Sequence, residues 1–294
     1  MKYLITGITG TLGQEVSRQL LADPGNVVIG ISRDEFMQQL TPKHNRLTLL
    51  IADIRDGPRI SDIVWTYKPD LIFHFAALKH VDIAEKNPYE AIFTNIQGTH
   101  NVVSAQKRHG VPRLVMSTTD KAVAPINVYG HTKALAERLV LSGSHNNMIC
   151  RYGNVLASRG SVVESMVKSI RSEKRVYITD PNMTRFFLTI GDAARFVIAS
   201  AGHPIDDGWR SASRCGEQIP KDMKAASISE IASAVIAAVG GKDIEVVTVG
   251  NRGGEKIHED LHENCEGYYT SRDAPRHTRE ELISMIEPIV RKLI

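Results

Sequence analysis

A chain of 294 residues with 42% hydrophobic and 23% charged side chains has an ordinary globular composition, long enough to bury a sizeable core. The formal net charge is only +3, with Lys and Arg scattered rather than blocked, which argues against nucleic-acid binding and suits an anionic small substrate. Cys150, Cys215 and Cys265 are odd in number and lack CxxC or CxxH spacing, so no disulfide framework or metal site is expected, and no apolar run is long enough for a signal peptide or a membrane span; a soluble, cytoplasmic protein is the reading.

Strand patterns open the chain at Tyr3-Leu4-Ile5-Thr6 and recur at Val27 to Ile31, Leu47 to Leu50, Leu71 to His74 and Arg113 to Met116. Helix patterns lie between them at about residues 12–22, 58–67 and 88–109, a βαβα rhythm that predicts a doubly wound parallel sheet covered on both faces. A further helix follows the fifth strand, with apolar positions at Leu135, Leu139 and Val140. Past about residue 155 the rhythm loosens. Strand candidates at Val176 to Ile178 and Ile244 to Val247, with helices near 161–172, 190–201, 227–239 and 278–293, predict a smaller mixed lobe over 156–294, some of whose segments return to the first domain, 1–155.

The first chemical motif is Thr6-Gly7-Ile8-Thr9-Gly10-Thr11-Leu12-Gly13, between a strand and a helix. Its glycines permit a tight turn and close approach to a pyrophosphate, while the helix amino terminus offers N–H groups to the anion. This marks a Rossmann-type dinucleotide site, and the GxxGxxG spacing points to the short-chain dehydrogenase/reductase superfamily. Ile31-Ser32-Arg33-Asp34 then ends the second strand. Ser32 can donate a hydrogen bond and Arg33 can pair with a 2′-phosphate, so NADP is favoured, with NAD selection by Asp34 as the alternative. Asp53 and Ile54 are placed at the adenine edge, and Phe75, Ala76 and Ala77 beside the nicotinamide ribose.

The stretch Ser117-Thr118-Thr119-Asp120-Lys121 follows the fifth strand, and Tyr129-Gly130-His131-Thr132-Lys133 opens the next helix. A Tyr and a Lys four residues apart share one helix face, so the ammonium is expected to lower the phenol's pKa from about 10 and make it a base. Thr119 is the expected hydroxyl that orients a substrate alcohol. Asp120 and Lys121 add an acid and a base that a simple dehydrogenase does not need.

Taken with Ala76 to Val81, Glu85 to Pro88, Thr94 to Thr99, Arg151 to Val155, Ser158 to Val163, Ile178 to Pro181, Met183 to Phe186 and Gly254 to Glu259, these motifs resemble the extended short-chain dehydrogenase/reductases of the UDP-N-acetylglucosamine 4,6-dehydratase group, typified by the inverting dehydratase of pseudaminic acid synthesis. The resemblance runs from residue 3 to about 260. It implies that Tyr129, assisted by Lys133, oxidises C4 with NADP, that Lys121 removes the C5 proton and that Asp120 protonates the leaving 6-hydroxyl. Hydride then returns to C6, so the cofactor is recycled. It also implies a UDP-sugar held by Lys79, Asn154, Arg185, Arg252 and Glu255, and a homo-oligomer. Phe75 and Gly253 depart from the family's usual residues. Two alternatives stand: a UDP-sugar 4-epimerase of the same fold, for which Asp120 and Lys121 have no evident use, and a catalytically silent NADP-binding regulator.

Overall fold

A computed structural model describes residues 1–156, 158, 160–202, 216–220, 222–241, 243–250, 253–264 and 267–293. The chain divides into two compact units, one of Met1–Arg151 with Ala193–Lys221, the other of Tyr152–Asp192 with Asp222–Ile294.

The first unit alternates β1 (Lys2–Thr6), α1 (Thr11–Leu20), β2 (Val27–Ser32), α2 (Glu35–Gln39), β3 (Leu47–Ile51), α3 (Gly57–Tyr67) and β4 (Leu71–His74). After α4 (Val81–Lys86) and α5 (Pro88–Ile92), a π-helical turn at Phe93–Gln97 leads into α6 (Gly98–Arg108) and β5 (Arg113–Thr119). A 3-10 turn at Asp120–Ala122 then precedes α7 (Val128–Gly143) and β6 (Met148–Tyr152). The expected parallel sheet is present, and β1 to β4 match the apolar runs within a residue because strands covered on both faces are apolar without alternation, while β5 runs three residues past Met116 to Thr119. All four residues of β4 are buried, His74 among them.

The second unit begins with β7 (Asn154–Val155), α8 (Val162–Glu173), β8 (Arg175–Ile178) and β9 (Thr184–Leu188). Helix α9 (Ile190–Ser200) carries the chain back to the first unit, where β10 (Glu217–Gln218) joins the sheet in the order β10-β6-β5-β4-β1-β2-β3. Strand β11 (Ala225–Ser227), α10 (Ile228–Val239), β12 (Glu245–Thr248), β13 (Asp260–Asn264), β14 (Gly267–Thr270) and α11 (Arg279–Leu293) complete the second unit. Its small sheets pair β9 with both β11 and β7, β12 with β8, and β13 with β14, and its core collects Val163, Ile178, Phe187, Ile231 and Ile286. Among the described residues no helix is long and apolar enough to cross a membrane.

Two expectations are corrected. The helix pattern at 88–109 is not one helix: the π-helical turn interrupts it and carries Asn95 into the interior, 1% exposed. In α7 the three apolar positions do not share one environment: Val140 is buried, Leu139 half-buried and Leu135 exposed. Leu135 is 55% exposed, whereas Tyr129, Lys133, Ala136, Glu137 and Val140 are buried. The inward face of this helix is polar at Tyr129, Thr132, Lys133 and Glu137 and joins the core at Ala136 and Val140.

Candidate active site

The glycine motif builds the first wall of the site. Gly7 adopts a φ of 72° and its N–H donates to the Ile31 carbonyl at 2.9 Å; a Cβ there would lie 2.8 Å from the Ala76 nitrogen. Only glycine combines that backbone with that proximity. Gly10 occupies the N-cap of α1 with no side-chain cap and no acidic residue in the first turn, so the helix end suits a diphosphate. Thr9 and Gly13 are buried, while Thr11 and Leu12 are half-buried on the opening of the helix. Phe75 and Ala76 are tied to the same corner, their N–H groups donating to Thr6 Oγ1 at 3.1 and 3.2 Å, and Ala77 follows half-buried.

At the end of β2, Ser32 is buried and accepts a hydrogen bond from Gln38 Nε2 at 2.9 Å. The Arg33 side chain is 55% exposed, its Nη1 3.7 Å from Asp53 Oδ2. The Asp34 carboxylate caps α2 by accepting from the Met37 N–H at 3.0 Å. Asp53 is gripped by Arg55 through Nε and Nη2 at 2.9 and 2.7 Å. Burial works upward on this carboxyl, but the Arg55 hydrogen bonds outweigh it and hold the pKa below its ordinary value. Ile54 sits in the core.

The strand end after β5 assembles the chemistry. Asp120 is fully buried; its Oδ1 accepts from Thr119 Oγ1 at 2.8 Å, from the Lys121 N–H at 2.9 Å and from Lys121 Nζ at 3.1 Å. Its Oδ2 has no partner among the described residues. Asn127 caps α7 by accepting from the Gly130 N–H, which fixes the helix start that presents Tyr129. Lys133 Nζ donates to the Ser117 carbonyl at 2.9 Å.

The expected depression of the Tyr129 pKa is not met. Burial pushes the phenol up to about 12; the Lys121 charge and a hydrogen bond with Thr119 pull it down, and Asp120 pushes it up. Burial wins because the phenolate loses its water, and the cation acting on the phenol is Lys121 rather than Lys133. Lys133 itself is drawn down to about 8 by burial, opposed by Glu137. Thr119, Asp120, Lys121, Tyr129 and Lys133 therefore form one cluster in the first unit.

The remaining expected ligands are distributed differently. Lys79 is exposed in the first unit. Asn154, Arg185 and Glu255 belong to the second unit. Asn154 lies on β7 opposite Phe187, and Glu255 is half-buried. Arg185 is buried: Nη1 donates to the Thr184 and Ile257 carbonyls at 2.7 and 3.1 Å, and Nε lies 3.7 Å from Glu259. Arg252 lies outside the described residues.

A polar chain behind the site carries residues to which motif reading assigned no role. His74 bridges Thr6 Oγ1 at 2.7 Å and Thr99 Oγ1 at 2.9 Å, and burial lowers its pKa to about 3, so the ring is neutral. Asn95 pairs with the Leu78 backbone and donates to Thr132 Oγ1 at 3.0 Å, and Thr132 donates to the Tyr129 carbonyl. Glu137 continues the four-residue spacing of Tyr129 and Lys133, the one sequence signal that pointed to it.

The profile of the family described as polysaccharide biosynthesis protein matches residues 3–280. Among curated relatives, the capsular polysaccharide biosynthesis protein CapD of Staphylococcus aureus is 37% identical over 88% of this chain, which spans 44% of that protein's length. The UDP-glucose 4-epimerase of Rickettsia typhi is 35% identical over 88% of this chain and 76% of its own, and the inverting UDP-N-acetylglucosamine 4,6-dehydratase of Campylobacter jejuni is 34% identical over 91% and 79%. The X-ray structure of Pen from Bacillus thuringiensis superposes with a TM-score of 0.86 at 30% identity, covering 97% of this chain and 96% of that one.

Proposed function

The chain belongs to the polysaccharide biosynthesis protein family, and from that premise we propose that it is a UDP-N-acetylglucosamine 4,6-dehydratase, C5-inverting, that recycles NADP. The observation that carries the reading is the buried Asp120–Lys121 pair beside Tyr129. Hydride transfer alone needs the tyrosine and Lys133; removing water needs a further acid and base. Asp120 and Lys121 stand 3.1 Å apart as an ion pair. One proton moved from Nζ to the carboxylate converts that pair into a neutral amine and a carboxylic acid without changing the net charge.

A nicotinamide cofactor held at the Gly7–Gly13 turn would supply the hydride acceptor for C4 and the hydride donor for C6. Tyr129 accepts the proton of the 4-hydroxyl in its phenolate form, its own proton having first passed to solvent, with Thr119 holding the phenol oxygen. The C4 ketone acidifies the C5 proton, which the Lys121 amine removes, while Asp120 gives its proton to the departing 6-hydroxyl as water. Hydride return to C6 with reprotonation at C5 from the opposite face by a solvent proton gives a UDP-2-acetamido-2,6-dideoxy-hexos-4-ulose. The cofactor reading rests on Gly7, Thr9, Gly10, Thr11, Leu12 and Gly13 for the diphosphate, and on the exposed Arg33 for a 2′-phosphate, since the Asp34 carboxylate is engaged in capping α2. Lys79, Asn154, Arg185, Arg252 and Glu255 are proposed for the UDP-sugar, with Arg185 acting from a buried position.

The test is incubation of purified protein and NADP⁺ with UDP-N-acetylglucosamine, read by mass spectrometry. Loss of one water with no added reductant is expected, and unchanged substrate overturns the proposal. A 4-epimerase is the second reading, favoured by the Rickettsia relative of that name. It predicts an isomer of unchanged mass.

A further inference from the structure

We propose that Glu137 is a positioning residue for this reaction, anchored by Arg151 so that it fixes Thr118 at the root of the catalytic strand end and places a fixed negative charge behind Lys133. The inference rests on the reading of Tyr129 and Lys133 as the hydride-transfer pair. Three connections carry it. Glu137 follows Lys133 by four residues in α7, on the same buried face. Thr118 Oγ1 donates to its Oε1 at 2.6 Å, and Thr118 directly precedes Thr119, Asp120 and Lys121. Arg151, on β6, donates to both oxygens through Nε at 3.2 Å and Nη2 at 2.6 Å, while its Nη1 lies 3.6 Å from Glu217 of β10.

A carboxylate only 5% exposed, held by a nearly buried guanidinium, is a costly arrangement that apolar packing would replace at little loss, unless the fixed charge is used. The charged and titratable groups around Lys133 show what uses it. Across the sheet, His74 of β4 feels the Lys133 charge but is neutral, and on its own helix Tyr129 is an uncharged phenol; Asp120 and Lys121 of the 3-10 turn act on Tyr129. Glu137 is the group that supports the ammonium of Lys133 against burial, with Arg151 behind it. One side chain thus ties the hydride-transfer helix to the strand end that carries the acid and base.

Glu137→Gln keeps the shape and the acceptor for Thr118 while deleting the charge. The titration of Lys133, followed by NMR of labelled lysine and assigned with Lys133→Arg, is expected to move to lower pH by about one unit or more, away from about 8. The alkaline limb of turnover moves with it, with KM for the UDP-sugar changed less than about twofold, because no substrate contact is altered. Because Glu137→Gln takes from Arg151 the carboxylate it holds most closely and leaves it the looser Glu217 at 3.6 Å, the double variant Glu137→Gln, Arg151→Met is measured alongside; it should fold and shift Lys133 in the same direction. Thr118→Val should lower turnover at every pH without moving the limb. A drop in melting temperature with Lys133 unshifted in both Glu137 variants overturns the proposal. The lysine titration needs no substrate, so a shifted Lys133 in a protein that converts no UDP-sugar refutes the dehydratase reading and leaves the role of Glu137 standing.

Discussion

Asp120 and Lys121 are adjacent in sequence yet are given different work, and single substitutions separate them. In the proposed mechanism Lys121→Met removes the base at C5. It should abolish water loss, at least about 10²-fold, and with it solvent deuterium incorporation at C5, while bound cofactor still becomes reduced as C4 is oxidised. Asp120→Asn removes the acid that protonates the 6-hydroxyl. Deuterium should still enter C5 while water loss falls by a similar factor. Proton NMR of the sugar in D₂O reads both, and deuterium at C5 with Lys121→Met would refute the assignment of the base. Arg33 is a separate case at the other end of the cofactor. Its exposed guanidinium has only a loose 3.7 Å contact with Asp53, so Arg33→Ala should weaken NADP binding about tenfold or more and leave NAD binding nearly unchanged. Calorimetric titration of the two cofactors checks this, and equal losses for both would show that Arg33 does not read the 2′-phosphate.

Helix α7 is the element whose placement matters most, and Gly130 sets it. A Cβ at Gly130 would lie 2.3 Å from the Lys121 carbonyl oxygen, a backbone atom that cannot rotate away. Gly130→Ala must therefore push α7 from the 3-10 turn and separate Tyr129 from Asp120 and Lys121. Turnover should fall about 10²-fold, the cost of a misplacement on the order of 1 Å, with little change in KM; a variant as active as the parent would show that the helix and turn need not touch. The same helix shows how far the sequence could be read. Tyr129, Lys133, Asp120 and Lys121 were singled out by their types and spacing, and the parallel strands were legible because buried strands are continuous apolar runs. The apolar positions Leu135, Leu139 and Val140 did not reveal which face of α7 is buried, because that face mixes Tyr129, Lys133 and Glu137 with Ala136 and Val140. Strand β9, Thr-Arg-Phe-Phe-Leu, went unmarked because its buried Thr184 and Arg185 break the apolar run, their polar groups being satisfied by His258, Ser271 and backbone carbonyls. The break at Phe93–Gln97 has no spacing signal at all, because a π-helical turn adds a residue without changing composition.

At the scale of the whole molecule, the buried titratable groups fix how stability follows pH. His74 titrates at 6.5 when exposed and is lowered to about 3 in the fold by burial, with a smaller push from Lys133. Its neutral ring therefore contributes stability that is complete above the exposed pKa of 6.5 and is lost as pH falls toward about 3, because only the unfolded chain takes up the proton in that window. The carboxylates Glu15 and Asp53, whose pKa values are lowered from 4.5 and 3.8, add their loss only at lower pH. His80 and His258 are lowered in the same direction by burial, one in each unit, and contribute smaller shares. On the alkaline side the signs oppose. Cys150, raised from 9.0 to about 12 by burial, removes stability above pH 9, whereas Lys133, lowered from 10.5 to about 8, restores it between those values. The mildly acid window thus isolates the histidines. From about pH 8 to about pH 5, His74 alone should lower the unfolding free energy of its unit by about 2 kcal/mol, at roughly 1.4 kcal/mol per pH unit below the exposed pKa. His74→Gln is less stable at pH 8 for want of the Thr6 and Thr99 hydrogen bonds, yet its denaturant-unfolding curve should move correspondingly less over the same interval. Equal displacement of the two proteins between the two pH values would mean that the His74 ring takes up its proton within the fold.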